Sequence, residues 1–355
     1  MTEIQAVTSD VSSALVLHGT STEDIDNMVS YQAPAADRVI RKDIGALLEA
    51  AGAAFKVSCV QSFLSDGTPV QKFAGYSKQD DGTMNAKFKP LFQVVREDHG
   101  TSFQQRSEHY TPLQSVDSLD IMQPVVDSGM GEYDGVLILN HGALIVVRYK
   151  MMTIQVTGDR SPINCYLQLV CCHDSKVANS IYESTIRAIC MNTLNAGIRQ
   201  AKGKGKFISI RHTKNAAEKV EVAKQVIGQA ANSFAFFNAK ANFLASQKMT
   251  LAEMNKMAVL LMPSSKEKDG GEVATRTANR RAELVHLFAN GTGIEGDMQG
   301  TRWAAVNAVS EYTSSVCQVK GDDKQAARDY SMRFGPSYNL QVQAMEYLEV
   351  QGELV

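Results

Sequence analysis

Cys171-Cys172-His173-Asp174 is the run whose side chains could serve as metal ligands or as a nucleophile and its base. Its spacing speaks against both uses. On an extended strand Cys171 and His173 point one way and Cys172 and Asp174 the other, because successive side chains alternate. Two ligands per face are too few for a zinc site, and no second Cys/His pair stands at a suitable spacing. A Cys–His nucleophile pair normally draws its two members from separate elements. The run is therefore expected to supply buried thiols and a turn that His173 and Asp174 hold by local hydrogen bonds. Gly291-Thr-Gly293-Ile-Glu-Gly296 matches the G-x-G-x-x-G fingerprint, but it follows a predicted helix where a dinucleotide site follows a strand. Glu295 and Asp297 would also repel a pyrophosphate. A structural loop leading to Thr301, an N-cap for the next helix, fits better. Walker-lysine, nucleophile-elbow and H-E-x-x-H patterns do not occur. The chain reads as non-catalytic, with neither cofactor nor metal expected.

Charge offers a different chemistry. The formal net charge is −2, yet residues 1–140 carry 10 Lys/Arg against 19 Asp/Glu and residues 141–355 carry 26 against 19. From Arg148 to Asn215 there are 11 basic side chains and three acids. A local basic field attracts a polyanion even when the whole protein is near neutral. The candidate nucleic-acid contacts are Arg148, Lys150, Arg160, Lys176, Arg199, Lys202, Lys204, Lys206, Arg211 and Lys214. Tyr149 and Phe207, with Tyr166, are interleaved as faces on which bases could stack. Gly203 and Gly205 would let the chain follow a phosphate backbone.

The elements that must position these residues predict an α+β fold. Residues 1–35 read as a flexible arm, 36–212 as an α+β core domain and 213–355 as a helical region. A helix over 37–52 precedes a first antiparallel β-meander of strands 55–64, 70–77 and 86–95. Its turns contain Asp66-Gly67 and Asp81-Gly82, and Asp-Gly supplies the positive φ of tight hairpins. An edge strand over 103–111 and a helix over 113–126 follow. A second meander, 136–139, 143–156 and 163–172, continues into a helix that starts between Ser180 and Thr185, giving a β-β-β-α unit. Ser180 and Glu183 match a capping box, as do Thr250 and Glu253. A strand at 207–210 and helices from Thr213 to about 247, from Thr250 to Pro263, at 272–288, at 302–315 and one ending near 330 complete the chain. Lone Trp303 is expected as a buried anchor. Phe234, Phe236, Phe237, Phe243 and Leu244 read as core or subunit interface. The six cysteines sit mostly among apolar neighbours, as buried free thiols in a reducing compartment do. The most apolar stretch, 136–147, is too short to span a bilayer, and Glu3 and Asp10 stand where an export signal would be basic. A cytoplasmic protein without a membrane partner is expected.

Four stretches carry a family resemblance. They are Phe92–Gly100 with Tyr110–Asp117, then Cys172–Ser175 running into Ile186–Leu194, then Ile210–Thr213, and finally Gly300–Tyr312. In order and spacing they resemble the phage/plasmid-like family known as domain of unknown function 932. That resemblance implies DNA transactions of mobile elements in a bacterial cytoplasm. The β-β-β-α unit with its basic flank is also similar in architecture to single-strand annealing proteins of the Rad52 and RecT kind. Together these lead to a single-stranded DNA-binding protein, a recombination or annealing factor, assembled as a homo-oligomeric ring or filament. The alternatives are an interaction module for a host protein, in anti-defence or takeover, and an enzyme using His173 or the 291–301 loop.

Overall fold

The computed structural model describes residues 28–176, 179–187, 192–193, 208–209, 216–264, 267, 271–320 and 324–353. Part of the expected arm is a strand, β1 (Met28–Gln32). The expected helix over 37–52 is two: α1 (Arg38–Lys42) and α2 (Ile44–Ala50). Asp43 between them is extended, and its carboxylate caps α2 by accepting from Ala46 N at 2.7 Å. The stretch expected as a first meander holds β2 (Val57–Gln61), β3 (Gln71–Lys78), β4 (Met84–Pro90), β5 (Phe92–Arg96) and β6 (Ser102–Arg106), but it is not a meander: β2 pairs with β5, and β3 and β4 pair only with each other as a hairpin inserted between them. Both Asp-Gly turns form as expected, with Asp66 accepting from Thr68 N and Asp81 from Thr83 N. Residues 115–127 hold α3 (Ser115–Leu119), a 3-10 turn and α4 (Gln123–Asp127) in place of one helix.

The second meander is β7 (Glu132–Leu139), β8 (Leu144–Ile154) and β9 (Ile163–Cys172). It does not pass into a helix at residue 180. Ser180–Arg187 is a fourth strand, β10, antiparallel to β9 with Glu183 opposite Leu167. All eight of its residues are buried, so it lacks the alternation that marks a half-exposed strand. Glu183 lies in the sheet and does not reach back to cap a helix. Short β11 (Asn192–Thr193) and β12 (Ile208–Ser209) pair with β10. The main sheet runs β1-β7-β8-β9-β10-β11, with β12 also on β10, and β2-β5-β6 and β3-β4 form separate sheets. Every strand pair among the described residues is antiparallel.

The C-terminal half is helical: α5 (Ala216–Ser246), α6 (Leu251–Leu261), α7 (Thr275–Asn290), α8 (Arg302–Glu311), a π turn over Tyr312–Val316, α9 (Lys324–Phe334) and α10 (Pro336–Glu353). Thr250 and Glu253 form the expected capping box on α6, and Thr301 caps α8 through Ala304 N at 3.1 Å. One face of the main sheet, including Ile145, Val147, Tyr149 and Leu169, shares a core with Phe234, Phe237, Trp303 and Leu348. That core runs through both the 36–212 and the 213–355 regions. Phe236 and Phe243 remain exposed. The opposite face buries Leu144, Val146, Val170 and Tyr182, with Tyr330 of α9 against them. No helix among the described residues is long and apolar enough to cross a membrane.

Candidate nucleic-acid interface

The basic segment does not form one surface among the described residues. Arg148 lies on the sheet with a side chain 18% exposed, 3.6 Å from the Asp134 carboxylate and over the Tyr166 ring. Asp134 also receives Arg41, which bonds Glu132 too, so the charge of Arg148 is largely matched within the fold. Tyr149, expected to stack on bases, is a core residue: fully buried, its hydroxyl donates to Met130 O at 3.1 Å. Burial pushes that phenol up to about 12. Lys150 shares the Arg148 face and is half-buried. Tyr166 is likewise buried, with its phenol raised to about 12 chiefly by desolvation. Arg160 is exposed, 3.6 Å from Glu295, and Lys176 is exposed with Nζ 2.9 Å from Asp174. Those two flank β9, whose 10 residues span roughly 33 Å at about 3.3 Å per residue. Arg199, Lys202, Lys204, Lys206, Phe207, Arg211 and Lys214 lie outside the described residues.

A different surface combines bare cations with bare aromatics. β3 and β4 form a two-stranded ribbon that gives no side chain to either hydrophobic core. Phe73 pairs with Phe88 and Lys72 with Lys89; after a bulge at Ala74, Gly75 pairs with Lys87 and Tyr76 with Ala86. The extra residue changes the side on which β3 side chains emerge. Phe73 and Tyr76, three apart, thus come to one face, with ring centroids 5.1 Å apart, and Phe88 lies 6.0 Å from Phe73 on that face. The three rings are 55%, 63% and 57% exposed. Lys72, Lys87 and Lys89 line the reverse face, and Lys78 lies beside Met84 on the aromatic one. None of these lysines has an ion pair among the described residues. The ribbon is two strands wide, about 5 Å between backbones, so four-carbon lysine stems on the back reach round either edge.

The glycine-rich loop does structural work of an unexpected kind. The Asp159 carboxylate is buried and accepts from Arg187 Nε (2.8 Å) and Nη2 (2.7 Å), Trp303 Nε1 (2.9 Å) and Ser161 N (2.9 Å). Arg187 in turn donates to the carbonyls of Thr292 and Gly293 at 3.0 and 3.1 Å. The loop thus presents oxygens inward to a guanidinium, whereas a phosphate cradle presents N–H groups. Thr292 N is already bound to Glu311 at 2.8 Å. One buried cluster joins the β8–β9 turn, β10, the 291–293 loop and α8.

Arg187 and Trp303 belong to the stretches that carry the family resemblance. The family model described as Domain of unknown function (DUF932) matches residues 102–332. The chain belongs to that family. The DUF932 match runs from β6 into α9 and contains the whole Asp159–Arg187–Trp303 cluster; the β3–β4 ribbon precedes it. Comparisons with curated proteins and with solved structures found no match.

His173, also within the DUF932 match, is buried between Phe103 and Phe55, stacked on the former at 5.7 Å. Its Nε2 lies 3.1 Å from Ser115 Oγ and 3.7 Å from Cys171 Sγ. Cys172 and Asp174 face the other way, with Sγ donating to the carboxylate at 3.0 Å, as strand alternation predicts. Burial brings the imidazole down to about 4 and pushes the Cys171 thiol up to about 11. Both shifts favour the neutral forms, the reverse of an activated thiolate–imidazolium pair. No group of three or more His, Cys, Asp or Glu suited to a metal occurs among the described residues. A pH dependence follows. Between the ordinary histidine value near 6.5 and about 4, the unfolded chain holds a proton that the folded His173 does not, so stability falls as pH falls. The full loss is about 3 kcal/mol at roughly 1.4 kcal/mol per unit. It accrues between pH 6.5 and 4 and adds nothing below. Urea unfolding across that range should show a steeper decline for wild type than for His173→Gln; equal slopes would contradict the burial argument.

Proposed function

We propose that this protein is a non-catalytic single-stranded DNA-binding protein whose main contact surface is the β3–β4 ribbon. The observation that supports this reading is the joint exposure of Phe73, Tyr76 and Phe88 beside four lysines free of ion pairs among the described residues. Unstacked bases need π-faces and the backbone needs cations, and sequence-tolerant single-strand binders combine the two. A duplex hides its base faces, so it can use the lysines but not the rings. The analogy to annealing proteins through a β-β-β-α unit lends little here, because strand β10 stands where the helix should begin. Annealing and assembly into a ring or filament in a bacterial cytoplasm extend the proposal beyond DNA binding itself.

A protein partner is the second reading. The observation that favours it is the apolar face formed by Phe73, Tyr76, Met84 and Phe88, since contiguous exposed apolar surface marks interaction sites. Fluorescence anisotropy with labelled single- and double-stranded oligonucleotides separates the two. Single strands should bind more tightly. The logarithm of the association constant should fall against the logarithm of salt with a slope of about −2 to −3, from three or four phosphate contacts at roughly −0.7 each. A flat salt response, or no binding at low salt, would refute the DNA reading.

A further inference from the structure

The long helix α5 is apolar on two sides, and the fold accounts for one of them. Its inward side, with Val226, Ala230, Phe234, Phe237 and Leu244, belongs to the core. Its outward side carries Phe236 and Phe243, two turns apart and 52% and 45% exposed. The exposed residues between Lys224 and Lys248 include no Asp, Glu, Lys or Arg. Lys240, which falls in that stretch, is half-buried and paired with Glu349 of α10. A surface helix ordinarily turns its charges to water, so a charge-free outward face holding two bare rings is the pattern of an interaction surface. Gly228, on the same side, points the same way. A glycine inside a helix is destabilising relative to alanine, and a Cβ at this one would meet nothing within 4 Å. Packing among the described residues gives no reason for it; close approach of another surface does.

The spacing of the exposed residues says which surface that is. Residues three, four and seven apart share a helix face. Gly228 and Phe243 stand near the two ends of this one, and Ala235 and Phe236 stand at its middle. Laid antiparallel on a copy of itself, about a two-fold axis between Ala235 and Phe236, the face closes on its own members. Phe243 meets the partner's Gly228 and Phe236 the partner's Ala235, while Ala239 meets the partner's Asn232 and Ser246 the partner's Gln225. Both rings thereby fall on small positions, the large-on-small alternation by which packed faces interdigitate. The charges at the ends agree with that direction. Glu221 is exposed at one end and Lys248 at the other. Antiparallel packing brings these unlike charges together, whereas parallel packing would oppose like ones.

We propose that the outward face of α5 is a homodimer interface, in which the helices of two copies pack antiparallel through Phe236, Phe243 and Gly228. The face from Gln225 to Ser246 is about 33 Å long and roughly 10 Å wide, a footprint of about 300 Å² per copy. Tight complexes bury about 800 Å² per partner, so the dimer is a weak one, dissociating in the micromolar range. A two-fold contact is closed, and a ring or filament would need a second contact besides it. The whole face lies within the DUF932 match. It is separate from the ribbon and stands whether or not the ribbon binds DNA.

Sedimentation equilibrium on the full chain tests it. Monomer and dimer should exchange with a micromolar dissociation constant. Phe243→Glu should weaken the dimer at least tenfold, and so should Gly228→Leu. The leucine meets nothing within the monomer, so the thermal midpoint of dilute protein should not fall in that variant. The ribbon variant Phe73→Ala/Phe88→Ala should dimerise as wild type does. Cysteine cross-linking with a short bismaleimide, read against wild type, reports the direction of packing. Ala235→Cys, beside the axis, should yield linked dimer. Gln225→Cys should not, because antiparallel packing holds its two copies about 30 Å apart at 1.5 Å per residue. A chain still monomeric at hundreds of micromolar would overturn the proposal, as would a Gly228→Leu dimer as tight as wild type. Efficient linking through Gln225→Cys would overturn it by making the packing parallel. So would loss of the dimer in the ribbon variant, which would move the interface to the ribbon.

Discussion

Asp159→Asn should destabilise the fold by about 3–5 kcal/mol, the usual consequence of leaving a buried charge without its partner. Arg187 is 1% exposed, and Asp159 is its carboxylate partner through two hydrogen bonds. The amide keeps one accepting oxygen. It replaces the other with an NH2 group that faces an Arg187 nitrogen in either orientation, together with Trp303 Nε1 or Ser161 N. The Thr292 and Gly293 carbonyls would still accept from the guanidinium, but dipoles do not neutralise it. Trp303 is the single tryptophan, so its fluorescence reports urea unfolding and sits at the lesion itself. The double variant Asp159→Leu/Arg187→Met should recover part of the loss, since removing both charges also removes their desolvation cost. A loss under about 1 kcal/mol in Asp159→Asn would mean that water reaches the pair and that it does not anchor α8 to the sheet.

That cluster marks where a sequence is mute. Trp303 is legible as an anchor from its place in an Ala/Val-rich helix, but its partner stands 144 positions away. No local pattern connects Asp159, Arg187 and the Thr292 carbonyl. Features set by neighbours along the chain are legible: the Asp-Gly turns, the Thr250–Glu253 capping box, the buried thiols of Cys165, Cys171 and Cys172 (Cys59 and Cys317 are only half-buried, and Cys190 lies outside the described residues), and the opposed directions of Cys171–His173 and Cys172–Asp174. β10 is misread because it is buried on both faces and carries Ser, Glu, Thr and Arg, a composition that tertiary pairing alone turns into a strand. Tyr149 is misread because alternation tells which residues share a face but not which face is buried. The same ambiguity conceals the ribbon. Lys72-Phe73 and Lys87-Phe88-Lys89 stand open in the sequence, yet a meander is expected to bury one face. Phe73 and Tyr76 would also diverge without the bulge at Ala74.

Phe73→Ala/Phe88→Ala is therefore the substitution that separates the readings of the ribbon. Base–aromatic stacking contributes about 1–3 kcal/mol per base, so the pair should lose roughly 2–6 kcal/mol, about 30-fold or more in single-strand affinity. The rings are more than half exposed and lie outside the core clusters. Stability followed through Trp303 should therefore stay within about 0.5 kcal/mol of wild type, as surface changes usually do. The salt slope should also hold, because no phosphate contact is removed. Lys72→Ala/Lys87→Ala/Lys89→Ala should do the opposite, flattening the slope by about 2 at roughly 0.7 per contact while leaving the rings in place. Phe88→Tyr should retain binding, since it keeps the π-face. If the double alanine variant binds DNA as wild type does but its native mass falls, the aromatic face belongs to another copy of the chain. The lysines alone would then carry whatever nucleic-acid affinity remains.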